Sequence, residues 1–179
     1  MITEPAKWPQ YYDDLEVKVF APNYYVPLPK RDTYSANIVF GKSQDKSSYF
    51  LAEVLRVFQH LPFTPDLIVT VPSSKLNDYS VTMLELGKRL SKILGIKNKN
   101  IIKRTKTIRK QTDCNDYDQR HSAVDGVFKV TKHLDGEKVV IMDDTRTSGM
   151  TILECAKMLK EAGASKIIAV CLGITGEKT

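Results

Sequence analysis

The sequence predicts an α/β fold, a parallel sheet flanked by helices with a small N-terminal cap. Two observations carry this. Short apolar runs rich in β-branched residues, at 67–71, 139–142 and 167–172, alternate with stretches in which apolar residues recur at helical spacing. The first 45 or so residues differ in kind: Pro5, Pro9, Pro22, Pro27 and Pro29 argue against long regular helices there. At 179 residues the chain is long enough for one domain with a real core and too short to expect two. We divide residues 1–179 into a cap or hood (1–45) and an α/β core (46–175).

The elements follow in order. Within the cap, partial alternation predicts short strands at 16–20 and 36–40. Ser47 or Ser48 can cap a helix that carries Phe50, Leu51, Val54, Leu55 and Phe58 inward and stops at Pro62. Residues 67–71 lie between Pro65 and Pro72 and read as a buried strand. Met83, Leu86, Leu90, Ile93 and Leu94 mark a helix closed by Gly95. Ile101 and Ile102 predict a short strand, and residues 127–130 another. Residues 139–142 are a buried strand. Ile152, Cys155, Ala156 and Leu159 mark a helix that ends at Gly163, and 167–172 is the last strand. Between them, a basic stretch at 97–110 and a polar one at 111–122 read as a long, weakly structured insert.

Composition excludes several classes. The chain shows neither an apolar run of membrane-spanning length nor a secretory leader, which predicts a cytoplasmic protein without a membrane partner. Cys114, Cys155 and Cys171 are odd in number and scattered, so neither a disulfide framework nor a zinc ribbon is expected. His60, His121 and His133 lack metal-ligand spacing. A net charge of +6 suits a nucleic acid or an anionic small molecule equally.

The chemistry concentrates at 139–151. An apolar strand runs into Asp143 and Asp144, then Thr145, Arg146, Thr147, Ser148, Gly149, Met150 and Thr151 lead into a helix. In parallel α/β sheets ligands bind beyond the carboxyl ends of the strands. Two carboxylates there can accept hydrogen bonds from the vicinal hydroxyls of a ribose. The small, hydroxyl-rich turn delivers backbone N–H groups at a helix N-terminus, which favours a phosphate. Gly149 permits close backbone approach, and Thr147, Ser148 and Thr151 add side-chain donors. The stretch lacks the lysine ending of a nucleoside-triphosphate loop. Acids facing a phosphate loop suit a sugar phosphate.

This stretch resembles the phosphoribosyl pyrophosphate (PRPP) motif of the type I phosphoribosyltransferases. The wider chain, from about 35 to 175, is most similar to the ComF-like members. Asp66 through Pro72 resembles their first core strand and the start of the pyrophosphate loop. Arg104, Thr107, Gln111 and Thr112 resemble their basic segment, and Arg120 with Val124, Gly126 and Phe128 the stretch beyond it. The chain departs from many relatives in lacking the cysteines of an N-terminal zinc ribbon, and from others in the few arginines of its pyrophosphate loop.

The resemblance implies a type I phosphoribosyltransferase fold and transfer of a phosphoribosyl group from PRPP to a nitrogenous acceptor, with release of pyrophosphate. Asp143 and Asp144 would hold the ribose hydroxyls, and residues 145–151 would wrap the 5-phosphate. Pro72, Ser73, Ser74 and Lys75 would lie along the pyrophosphate, and residues 104–111 would form a mobile cover. Lys103, Arg104 and Lys75 would neutralise the leaving group, with Asp143 and Asp144 completing the catalytic set. Mg²⁺ would arrive bound to PRPP, with no direct protein ligand set. The same resemblance is compatible with a homodimer, and with a PRPP-sensing or nucleic-acid-linked accessory module that does not turn over. For the basic segment, a lid, a nucleic-acid patch and a solvated surface remain open. Nucleic acid is not favoured, because no aromatic side chain interrupts 97–110 to stack on bases. Tyr11, Tyr12, Tyr24 and Tyr25 either pack or stack on a base. Arg146 either points outward or adds a phosphate contact.

Overall fold

The structure, a computed structural model, describes residues 1–7, 12, 15–74, 76, 78–106 and 116–175. The element order is β1 (Ile2–Lys7), β2 (Glu16–Ala21), β3 (Asn23–Tyr25), α1 (Thr33–Phe40), α2 (Ser47–Gln59), β4 (Leu67–Thr70), α3 (Val81–Leu94), β5 (Lys97–Asn98), β6 (Ile102–Arg104), α4 (Tyr117–Ser122), β7 (Phe128–Val130), β8 (Lys138–Arg146), α5 (Met150–Glu161) and β9 (Lys166–Thr175).

The main sheet runs β1-β2-β9-β8-β4-β5, with β3 also beside β9. Every pairing in it is parallel except β1 with β2. The pleat sends alternate side chains to opposite faces, and both faces are covered. Val139 and Ile141 of β8, with Ala169 and Cys171 of β9, pack under Leu153, Ala156 and Leu159 of α5. Val140 and Met142, with Val170 and Leu172, pack under Phe50 and Val54 of α2 and Leu86 and Leu90 of α3. This is the helix-flanked, mostly parallel sheet that the apolar runs predict.

Several local expectations need correction. Residues 36–40 are not a strand but the second half of α1, which Asp32 caps by accepting the Ser35 N–H at 2.7 Å. The cap carboxylate meets a donor that a strand would have spent on a neighbour. The stretch 97–122 is not a bare insert. Besides β6, the strand expected at Ile101 and Ile102, which pairs antiparallel with the expected β7, it holds β5 on the sheet edge and α4 capped by Asp116. Residues 1–25 carry strands that extend the core sheet, and Pro5 is tolerated in β1 because that strand is an edge and needs no donor on its outer side. Strand β8 does not stop at Met142. It runs through both acids to Arg146, because β9 is long enough to pair with it as far as Arg146↔Ile174. Among the described residues, no helix is long and apolar enough to cross a membrane.

Candidate active site at the carboxyl end of the central strand

Because β8 continues through the acid pair, the pleat separates Asp143 from Asp144. Asp143 shares the parity of Ile141 and faces the α5 layer, where Arg104 and Cys155 act on it electrostatically. Its carboxylate turns back to accept the Asp144 N–H at 2.8 Å. Burial, then the neighbouring Asp144, push the Asp143 carboxyl up to about 7 against the opposing pull of that N–H, Lys42 and Arg104. Asp144 shares the parity of Met142 and faces the α1–α3 layer. There it accepts the Thr145 hydroxyl at 2.9 Å and pairs with the Lys42 ammonium at 3.1 Å. The carboxylate in turn holds the lysine above its ordinary pKa. Lys42 escaped the sequence reading: only the folded loop after α1 brings it to Asp144.

The phosphate loop proper is short. Thr145 and Arg146 belong to β8, leaving residues 147–149 as the turn and Met150 and Thr151 as the first turn of α5. Gly149 is left-handed, with φ +84°. A Cβ there would lie 2.8 Å from the Ala6 Cβ of β1, so Gly149 serves both the turn and a close strand approach. Ser148 is buried, and its hydroxyl accepts the Met150 N–H at 3.4 Å. Arg146 lies between the turn and β1, its Nε 3.6 Å from where a Cβ at Gly149 would stand. Its guanidinium donates to Glu4 Oε2 at 2.6 Å and to the Pro5 carbonyl at 2.8 Å, so it fastens the loop to β1. Glu4 is a second residue that sequence reasoning missed.

Strand β4 ends beside the acids, where the Val71 N–H donates to the Met142 carbonyl at 2.9 Å. The chain continues through Pro72, Ser73 and Ser74 in a loop closed by Ser73: its N–H donates to the Asp78 carbonyl at 2.8 Å and its hydroxyl to the Asp78 carboxylate at 2.8 Å. Lys75 lies outside the described residues, as do Thr107, Arg109, Lys110, Gln111, Thr112 and Cys114 of the basic and polar stretch. Lys103 of β6 places its ammonium 5.4 Å from the Tyr79 ring centroid, at the far end of that loop. Its neighbour Arg104 points the other way, into the protein. It is 6% exposed and lies 4.5 Å from the Phe128 ring centroid, and its Nε and Nη1 find no partner among the described residues. Burial lowers its pKa, with Cys155 and Asp143 acting in the opposite sense. One guanidinium therefore stands beneath the acids while the adjacent ammonium faces the rim.

The stretch around Val124, Gly126 and Phe128 has an architectural explanation. Val124 and Phe128 are buried, and Gly126, at φ +62°, donates its N–H at 3.1 Å to Glu154, a fully buried carboxylate on α5. Tyr12 packs in the same interior, edge-on to His121 with ring centroids 5.4 Å apart. Burial, then Glu154 and Asp125, raise its hydroxyl's pKa. Of the candidate base-stacking tyrosines, Tyr12 is thus buried and Tyr24 exposed, and Tyr11 falls outside the described residues.

The site thus offers a turn at a helix N-terminus, two carboxylates of unlike environment and a closed loop at the neighbouring strand end. The phosphoribosyl transferase domain family matches residues 55–178. A transcriptional regulator, GfcR, from Methanocaldococcus jannaschii is 29% identical over 136 residues, covering 76% of this chain and 56% of its own length. An amidophosphoribosyltransferase from Staphylococcus aureus is 29% identical over 113 residues, covering 63% of this chain and 21% of its own. The chain thus spans about half of the first relative and a fifth of the second. Among solved structures, a purine phosphoribosyltransferase from Pyrococcus horikoshii aligns with a TM-score of 0.42 at 24% identity, over 86% of this chain and 78% of that one. The glutamine PRPP amidotransferase of B. subtilis aligns with a TM-score of 0.45 at 20% identity, over 83% and 29%. On the family match, which takes in both β4 and the β8–α5 site, this chain belongs to the phosphoribosyl transferase domain family.

Proposed function

We propose that this chain binds PRPP with Mg²⁺ and transfers the phosphoribosyl group to a nitrogenous acceptor. The observation that carries the reading is β8 delivering Asp143 and Asp144 directly before the Gly149 turn into α5. In this reading the 5-phosphate sits on the turn, where the first N–H groups of α5 have no intrahelical partner and the helix dipole favours an anion. The ribose hydroxyls donate to the acids. The diphosphate extends towards residues 72–78 beside β4. In the transfer, the bond from C1 of the ribose to the diphosphate oxygen breaks, a C1–N bond forms, and pyrophosphate leaves with the electron pair. The ring carries positive charge meanwhile, so the protein's task is to stabilise the departing anion and exclude water. Lys103 supplies charge from the rim, and the sequence resemblance adds Lys75 to this task. Arg104 supplies charge from beneath, acting through Asp143.

Two carboxylates provide the hard oxygen donors that Mg²⁺ takes, but Asp144 already holds Lys42. Among the described residues no cluster of three or more His, Cys, Asp or Glu could bind a metal. The residues fit a Mg²⁺ carried on the substrate's diphosphate, where it would screen the leaving group's charge. The ComF-like assignment belongs to this proposal and rests on Arg104, Gly126 and Phe128. A homodimeric state and a cytoplasmic location are further parts of the proposal.

Pyrophosphate release in the presence of PRPP, Mg²⁺ and a panel of amines and nucleobases tests the reading. Release with one acceptor class, reduced at least about tenfold by Asp144→Asn, supports it. Tight PRPP binding with no release from any acceptor would make the chain a PRPP sensor, in line with its regulator relative.

A further inference from the structure

The loop after α1 is fixed to the start of α3. The Thr82 N–H donates to the Gly41 carbonyl at 2.9 Å and the Val81 N–H to the Lys42 carbonyl at 3.3 Å. The Ser80 hydroxyl donates to the Gly41 carbonyl at 3.0 Å, and the Thr82 hydroxyl to the Gln44 carbonyl at 2.9 Å. A Cβ at Gly41 would lie 2.7 Å from the Thr82 Oγ1, so only glycine allows this approach. The backbone of Lys42 is therefore rooted at the N-terminal turn of α3, directly after the loop 72–79.

Its side chain, by contrast, is held at its tip. It is 59% exposed and crosses to Asp144, which is 15% exposed. Among the described residues, Lys42 is the cation in an ion pair with the acid pair. Arg104 is buried on the opposite face, and Lys103 lies over Tyr79.

From this we infer that Lys42 is a diphosphate-binding residue that the unliganded protein parks on Asp144. The inference rests on the PRPP reading above. Sugar hydroxyls donating to Asp144 weaken its hold on the ammonium, and the diphosphate enters from the side on which Lys42 is rooted. A long, exposed lysine stem swings between the two anions at little cost, whereas a buried arginine cannot. Lys42 thereby supplies part of the positive charge that the arginine-poor loop at 72–78 lacks.

Calorimetric titration of the parent, Lys42→Met and Lys42→Arg with PRPP–Mg²⁺, and separately with ribose 5-phosphate, tests this. Ribose 5-phosphate occupies the phosphate turn and the acids but has no diphosphate. Lys42→Met should weaken PRPP binding at least about tenfold, the scale of a lost charge-assisted hydrogen bond, and leave ribose 5-phosphate binding within about twofold. Lys42→Arg should recover most of the loss. Equal losses for both ligands would overturn the inference and make Lys42 a prop for Asp144, and unchanged PRPP binding would overturn it outright. A parent protein that binds neither ligand would remove the functional reading and this inference with it. Parent binding that is indifferent to Lys42 removes the inference alone.

Discussion

Asp143 and Asp144 are consecutive residues of one strand, yet they stand on different sides of the sheet. Asp143 looks into a closed layer made by α5, Phe128 and a buried guanidinium, and its carboxyl is pushed up to about 7. Asp144 looks towards an open rim, where its partner is an exposed lysine. The difference teaches that an acidic pair in a strand is two residues with two tasks. The closed side fixes charge and geometry before ligand arrives, and the open side exchanges partners when it does. Changes on the closed side should therefore move stability, titration and the pH dependence of binding, and changes on the open side should move affinity itself.

The largest effect on stability is expected at the seam between the closed layer and β1. Gly149→Val forces a branched side chain into φ +84° and against Ala6. It should cost roughly 2–4 kcal/mol, read from denaturant midpoints. A loss under about 0.5 kcal/mol would mean that β1 does not abut the loop.

The second prediction concerns pH. Folding raises the Asp143 carboxyl from the ordinary 3.8 to about 7, so the folded protein binds more protons than the unfolded chain between those values. The contribution of the neutral carboxyl is complete below the lower value and is lost as pH rises through about 7. Asp143→Asn should flatten this part of the stability–pH curve. PRPP binding should show the opposite slope, weakening by up to about tenfold per pH unit below 7, because the hydroxyls need the carboxylate. A stability curve of identical shape in parent and variant would show that folding does not raise the Asp143 carboxyl.

Third, Arg104→Met removes a buried guanidinium with two nitrogens that find no partner among the described residues. Stability should hold or rise by about 1–2 kcal/mol, while the Asp143 titration moves upward. A large destabilisation would show that Arg104 has a structural partner.

How much of this was legible beforehand follows from the same contrast. The closed layer is built from local patterns. The apolar runs of β4, β8 and β9, the helical spacing of α3 and its left-handed Gly95 stop all stand in the sequence. The acids and the Gly149 turn were legible for the same reason, being contiguous. The strand's continuation through Asp143 and Asp144 was not, since it depends on pairing with β9 and not on apolar character. The Asp32 cap of α1 was present in the sequence but was outweighed by a short alternating stretch that fits either element. Strand β6 was marked by Ile101 and Ile102, whereas β5 is two residues long, too short to show any period. The open side was illegible in principle. Lys42 and Glu4 are ordinary charged residues until the fold sets them against Asp144 and Arg146.

The smallest effect sharpens the role of that last pair. Glu4 and Arg146 are 26% and 16% exposed, so Glu4→Gln should cost no more than about 1 kcal/mol. It should still weaken ribose 5-phosphate binding several-fold, because Arg146 ties the phosphate turn to β1. Unchanged binding would make the link an incidental surface pair.

The most direct test of the central claim is a melting curve of the parent protein and of Asp144→Asn, with and without millimolar PRPP and Mg²⁺. A ligand at a hundred times its dissociation constant stabilises the folded state by about 2.7 kcal/mol. The account predicts a clear upward shift for the parent and the loss of most of it in Asp144→Asn, with the unliganded melting temperatures alike. No shift in the parent, or an equal shift in both proteins, would contradict it.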